Sequence, residues 1–211
     1  MIAAAVVLAA VMVTSVGGWN ASGTMGGGLD PGGMMSGTGQ ASGKAISIDR
    51  AVGIAQNVAG NYADRSLAVD EVIEFKNNFY ASVRERDSGV GAFEILINRY
   101  SGSVSQEPGP NMMWNTAYGM MARGGMMGVV AQPNANMTIT KERAVSVAQG
   151  WLDRNQAGDV ARPADPFHGY YTVDFEKGGN LVGMLSVNGY SGQVWLHTWH
   201  GGYVQSKDLG K

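Results

Sequence analysis

One internal echo limits what this chain can fold into. Ile46-Ser47-Ile48-Asp49-Arg50-Ala51-Val52 reads against Ile139-Thr140-Lys141-Glu142-Arg143-Ala144-Val145. Asn98-Arg99-Tyr100-Ser101-Gly102-Ser103-Val104 reads against Asn188-Gly189-Tyr190-Ser191-Gly192-Gln193-Val194. Two matched stretches in the same order, spaced by about 90 residues, describe one small module used twice. The spacing is too long for a solenoid, whose repeats run at ~20–50 residues. Within 211 residues this makes two modules. Each is so small that it buries only roughly 60% of its unfolded surface, a reason for the two to share a core.

Each copy carries the same local signals. Ser47 caps a helix that starts at Asp49 and presents Ala51, Val52, Ile54, Ala55, Val58 and Ala59 at helical spacing. Leu67 to Phe75 and Phe79 to Val83 are rich in β-formers, with Lys76-Asn77-Asn78 as the hairpin turn. Phe93 to Asn98 and Ser103-Val104 follow as strands. In the second copy Thr140 caps a helix over Lys141 to Arg154. Strands are expected at Tyr170–Glu176, Leu181–Val187 and Gln193–Trp199. The fold class is therefore α+β. It has two duplicated modules, each one helix packed on a three- to four-stranded antiparallel sheet, after an N-terminal apolar helix.

The expected boundaries follow. Residues 1–19 are an apolar membrane anchor or signal segment, and 20–44 a Gly/Met-rich tether. The first module is 45–107, a Met-rich linker 108–136, the second module 137–205 and a tail 206–211. A secretory leader needs a basic start, and only the α-amino group supplies positive charge here. A membrane anchor needs ~17–25 apolar residues, so Ile2–Trp19 sits at the short limit with Trp19 at the interface. Both alternatives place the modules outside the cytoplasm, anchored to the membrane or secreted at the cell envelope.

The helix alanines, Tyr171-Thr172-Val173, and Val187-Asn188-Gly189-Tyr190-Ser191-Gly192-Gln193-Val194 together resemble the PepSY domain. The first copy matches at Ala51, Ala55, Tyr80-Ala81-Ser82-Val83 and Asn98 to Val104. That family more often has Asp where Asn98 and Asn188 stand. PepSY domains occur in propeptides of thermolysin-like proteases and in envelope proteins without known activity. The resemblance implies a binding or regulatory module rather than a catalyst. Any protease inhibition would act in trans, since the chain has no His-Glu-x-x-His.

Composition removes several function classes. With no Cys, thiolate metal sites, disulfides and thiol catalysis are excluded. A net charge of −2 with 15% charged residues gives no field that would draw nucleic acid. There is no G-x-G-x-x-G after a strand, and Gly43-Lys44 is followed by Ala45, so no Walker loop exists.

Two segments could carry chemistry. The first holds Met112-Met113, Met120-Met121 and Met126-Met127 with Trp114 and Tyr118. Clustered thioethers are soft ligands for Cu(I), and flexible Met side chains equally suit an adaptable apolar contact. The second is Trp195-Leu196-His197-Thr198-Trp199-His200. On a regular strand His197 and His200 point apart, and they could share an ion only if the chain bulges near Gly201. The metal candidates are thus Met120, Met121, Met126, Met127, His197 and His200. The partner-binding candidates are Met112, Met113, Trp114, Tyr118, Trp195 and Trp199. No cofactor is expected, with copper the one candidate. The expected function is a non-catalytic extracytoplasmic binding or structural protein, an accessory subunit that docks a protein partner or assembles with itself. It would touch the membrane through residues 2–19 if they are retained, and no nucleic acid. The alternatives are a copper-handling envelope protein and a trans-acting protease regulator.

Overall fold

The computed structural model describes residues 43–62, 66–120 and 136–210. The expected N-terminal apolar helix, the tether up to residue 42, and Met121, Met126 and Met127 lie outside the described residues. Among the described residues no helix is long and apolar enough to cross a membrane.

The protein is mixed α+β, with one large sheet and few helices. The order is α1 (Ile48–Gly60), β1 (Leu67–Phe75), β2 (Asn78–Glu85), β3 (Gly91–Asn98), β4 (Val104–Gln106), and a single helical turn, α2 (Pro110–Met113). Then come α3 (Lys141–Asn155), β5 (Val160–Ala161), β6 (Asp165–Phe167), β7 (Tyr170–Lys177), β8 (Asn180–Asn188), β9 (Val194–Leu196) and β10 (Tyr203–Asp208). The long helices begin where their caps dictate: the Ser47 hydroxyl accepts from Arg50 N and the Thr140 hydroxyl from Arg143 N, each at 3.3 Å. Each helix buries an alanine stripe, Ala51, Ala55 and Ala59 in α1, Ala144 and Ala148 in α3. Small residues let the helix lie close to its strands.

Ten strands form one sheet rather than two separate meanders. The main path runs β10-β1-β2-β3-β6-β7-β8-β9, with β4 on β3 and β5 on β7. The joint is the parallel β3–β6 contact, where Gly91 faces Phe167. A Cβ at Gly91 would run into the Phe167 ring, so glycine is required for this crossing. The C-terminal strand β10 returns to pair antiparallel with β1 at the far edge, Val72 opposite Lys207 and Ile73 opposite Ser206. It was expected as part of the second module and its tail. It instead completes the first half of the sheet.

Strand alternation then sorts the side chains. Phe79, Ala81, Val83, Phe93, Ile95 and Ile97 face α1. Tyr171, Val173, Phe175, Leu185 and Val187 face α3. The opposite faces meet each other, since Ile73, Phe75 and Tyr80 of β1 and β2 pack with Met184 of β8. The sheet therefore folds back on itself, and between its two halves lies a third core that is unusually polar.

The Tyr-Ser-Gly turns are built alike. Asn98 Oδ1 accepts from Tyr100 N and Ser101 N, and Asn188 Oδ1 accepts from Tyr190 N and Ser191 N, all at 2.9–3.0 Å. Only an oxygen acceptor is used, so Asp would serve equally well in either turn.

Candidate functional site

The polar core is assembled around two fully buried carboxyls, Glu94 and Glu107, both 0% exposed. Glu94 projects from β3 toward the second half of the sheet. Its Oε1 accepts from the Tyr80 hydroxyl and the Thr172 hydroxyl, and its Oε2 from the Tyr170 hydroxyl, each at 2.7 Å. Burial, and next the charge of Glu107, push Glu94 well above the usual carboxylate range, against the pull of those three donors.

Glu107 follows β4, where its backbone N donates to Glu94 O at 3.0 Å. His197 follows β9, where its backbone N donates to Met184 O at the same distance. The expected strand through Trp199 is not there. β9 ends at Leu196, and the chain then leaves the sheet to meet the β1–β2 turn. Trp199 O accepts from the side-chain amides of Asn77 and Asn78, and His200 O from Asn77 N. Gly201 has φ 76°, a bend that favours glycine. The alternation that would have separated His197 and His200 is thereby lost, and both rings converge on Glu107.

His197 Nδ1 lies 3.3 Å and His200 Nε2 2.9 Å from Glu107 Oε1. His197 and His200 are 6% and 2% exposed. His197 stacks on Trp199 with ring centroids 4.8 Å apart, and His200 stacks on Phe75 at 4.5 Å. Trp199 Nε1 donates to Glu107 Oε1 at 3.1 Å. The outer imidazole nitrogens are also held: His197 Nε2 is 2.9 Å from Ser186 Oγ, and His200 Nδ1 is 3.0 Å from Asn78 Oδ1.

Burial opposes a charge on Glu107, but the charges and hydrogen bonds of His197 and His200 overcome it and hold the carboxyl down to about 2. Burial also pushes His200 away from its cationic form, though Glu107 pulls the other way. So the carboxylate calls for positive charge beside it, while the ring that would carry it resists. Glu107, His197 and His200 are the residues that could hold a metal ion, their ligand atoms all lying within 4.8 Å of one another.

The other candidates scatter. Of the four methionine metal candidates only Met120 is described, and it is 61% exposed. Residues 108–120, expected as the start of a linker, are instead fixed to β3. Asn111 Oδ1 accepts from Glu94 N and Asn111 Nδ2 donates to Glu94 O, both at 3.0 Å, so one side-chain amide stands in for a neighbouring strand. Asn115 Nδ2 donates to Ala92 O at 2.7 Å. Met112 is half-buried and Met113 is 59% exposed. Trp114 packs edge-on to Trp195, ring centroids 5.9 Å apart, so those two shield each other. Tyr118 packs near Phe93 and donates its hydroxyl to Glu85 Oε1, which also meets His168 Nε2 at 3.0 Å. Trp199 faces the histidine cluster.

Sequence reasoning missed Glu107 and Glu94. A signal for Glu107 existed: it stands nine residues after Asn98, as His197 stands nine after Asn188. A cleft beside the polar core is lined by Asp70, Glu71, Arg84, Asp165 and Asp174. Burial and neighbouring acids raise Glu71 and Asp174 each to about 7.

No family model matches the chain, and no curated protein matches it. Among solved structures it is similar to the Bacillus megaterium YpeB C-terminal domain, with 11% identity and a TM-score of 0.26. That likeness covers 72% of this chain and 62% of that one, so it spans less than two thirds of the other structure.

Proposed function

We propose that this chain is a non-catalytic, extracytoplasmic binding or structural protein built from two PepSY-like modules, and that it serves as an accessory subunit of a larger assembly. The matched N-caps at Ser47 and Thr140, the matched Asn turns, and the matched backbone bonds of Glu107 and His197 support two copies of one module. One observation carries the functional reading: the acid–base groups of the polar core are sealed from solvent, while Met113 and Met120 of the segment fixed to β3 project outward. A general acid or base must come within reach of the substrate proton. Glu94, Glu107, His197 and His200 offer no such access. Met113 and Met120, by contrast, sit on a segment clamped to β3 through Asn111 and Asn115. Flexible thioethers on a rigid mount suit a protein contact.

The test is the mass of the assembly purified untagged from its native envelope. Co-purification with another chain, or a defined multimer, supports the proposal. The double variant Met113→Glu and Met120→Glu then releases the partner while leaving the far-UV circular dichroism unchanged. A free monomer from native material refutes the reading.

A further inference from the structure

We propose that Glu107, His197 and His200 bind one divalent transition-metal ion, zinc foremost, which fastens the C-terminal segment to the first half of the sheet. The hydrogen bonding around the cluster points to it. Asn78 Nδ2 donates to Trp199 O, and a carbonyl can only accept, so the orientation of that amide is set. Asn78 Oδ1 therefore faces His200 Nδ1 and requires a proton there. In the neutral ring this leaves a lone pair on Nε2, aimed at a carboxylate oxygen 2.9 Å away. Two acceptors at hydrogen-bond distance need a cation between them, either a second proton on the ring or a metal ion.

The orphaned atoms converge on the same point. Among the described residues, six buried side-chain atoms have no hydrogen-bond partner, and three are Glu107 Oε2, His197 Nδ1 and His200 Nε2. The other three belong to Arg84, Arg99 and Asp159, each in an ion pair. His197 Nδ1 and His200 Nε2 likewise face Glu107 Oε1, so the atom of the cluster with nothing opposite it is Glu107 Oε2. Zinc bonds of ~2.0–2.1 Å in tetrahedral array place neighbouring ligand atoms roughly 3.3 Å apart. The two histidine nitrogens lie 3.3 Å and 2.9 Å from Glu107 Oε1, and all three ligand atoms lie within 4.8 Å of one another, so the imidazoles would close in around the ion. The outer contacts to Ser186 and Asn78 are the kind of support that fixes the tautomer of a ligating histidine.

Two imidazoles and a carboxylate suit zinc and its first-row neighbours. Calcium and magnesium want oxygen alone, and Cu(I) prefers thioether or thiolate to a set of two imidazoles and a carboxylate. The ligands also come from both halves. Glu107 and the supporting Asn78 belong to the first, His197 and His200 to the stretch between β9 and β10. The ion would therefore be a rivet, closed off from substrate.

The test uses the full chain, stripped with a chelator and dialysed against zinc chloride, with calcium and magnesium as controls. Elemental analysis is expected to give one zinc per chain, with a raised melting temperature that chelator reverses. Cobalt(II) in its place should show the intense visible bands of a four-coordinate site, with Glu107 Oε2 or a water as the fourth ligand. Glu107→Gln and His200→Gln should abolish stoichiometric binding, and Asn78→Ser, which does not touch the ion, should weaken it roughly 10–100-fold. Should the ligand variants not fold, the wild-type stoichiometry and Asn78→Ser still decide. Folded wild-type protein without stoichiometric zinc overturns the proposal, as does zinc binding that survives both ligand substitutions. Zinc binding lost in Met120→Leu would also overturn it, by placing the ion elsewhere.

Discussion

Glu94 and Glu107 occupy one interior, equally dry, and are solved in opposite ways. Glu94 is met by three hydroxyl donors, so both its oxygens are used. Glu107 is met by one indole N–H and two imidazoles, and its Oε2 has no hydrogen-bond partner. Hydroxyls can reorient around a neutral acid as easily as around an ionised one. Imidazoles whose outer nitrogens are already tied cannot. The first environment tolerates a protonated carboxyl. The second is completed only by a cation.

The largest expected effect separates the carboxyl from its donors. Glu94→Ala strands three buried hydroxyls and should destabilise the protein by about 3–5 kcal/mol in urea unfolding. Glu94→Gln, which resembles the protonated acid, should cost no more than ~1 kcal/mol. Equal losses in the two variants would show that Glu94 is ionised, and the contrast with Glu107 would collapse.

Next in size is the response to zinc. At a free concentration one hundred times its dissociation constant, zinc should stabilise the wild type by about 2.7 kcal/mol. Glu107→Gln should gain nothing, and Glu94→Gln should gain as much as the wild type. Calorimetry with and without zinc reads the difference.

Glu71 and Asp174 are a third kind of acid, crowded by other carboxyls and half-buried. A carboxyl raised in the folded state binds a proton that the unfolded chain releases. Its stabilisation is full below the unfolded value and is lost as pH rises through the folded one. Unfolding free energy should therefore fall by on the order of 1 kcal/mol between pH 4 and pH 8, roughly 2–4 °C in melting temperature. Asp174→Asn should flatten that fall, and a slope unchanged in this variant would count against a raised Asp174. The smallest effect is Thr172→Val, which removes one donor to Glu94. It should cost about 1 kcal/mol and leave zinc affinity untouched.

What the sequence made legible was local. Ser47 and Thr140 marked their helices, Lys76-Asn77-Asn78 marked its turn, and the runs of β-formers marked β1, β2, β3, β7 and β8. What it hid depends on partners far along the chain. His197 and His200 were separated by strand alternation, and the strand stops because Asn77 and Asn78, some 120 residues earlier, take the backbone of Trp199 and His200. Asn111 and Asn115 fall in the stretch expected as a linker, yet their amides act as a surrogate strand along β3. β10 carries little apolar patterning because nearly all of it is exposed, and only its pairing with β1 defines it.

That pairing has a consequence for the order of events during synthesis. β1 emerges early, and the strand that covers its edge emerges about 130 residues later, as the separation of Glu74 from Gln205 illustrates. Until then the first half presents an open row of backbone donors and acceptors, the kind of edge on which other chains add. The closing contact is also among the most distant in sequence, and such contacts form slowly. Among the described residues β10 is the strand that covers this edge, so in the nascent chain the edge of β1 waits on nearly the whole length of the sequence for its partner.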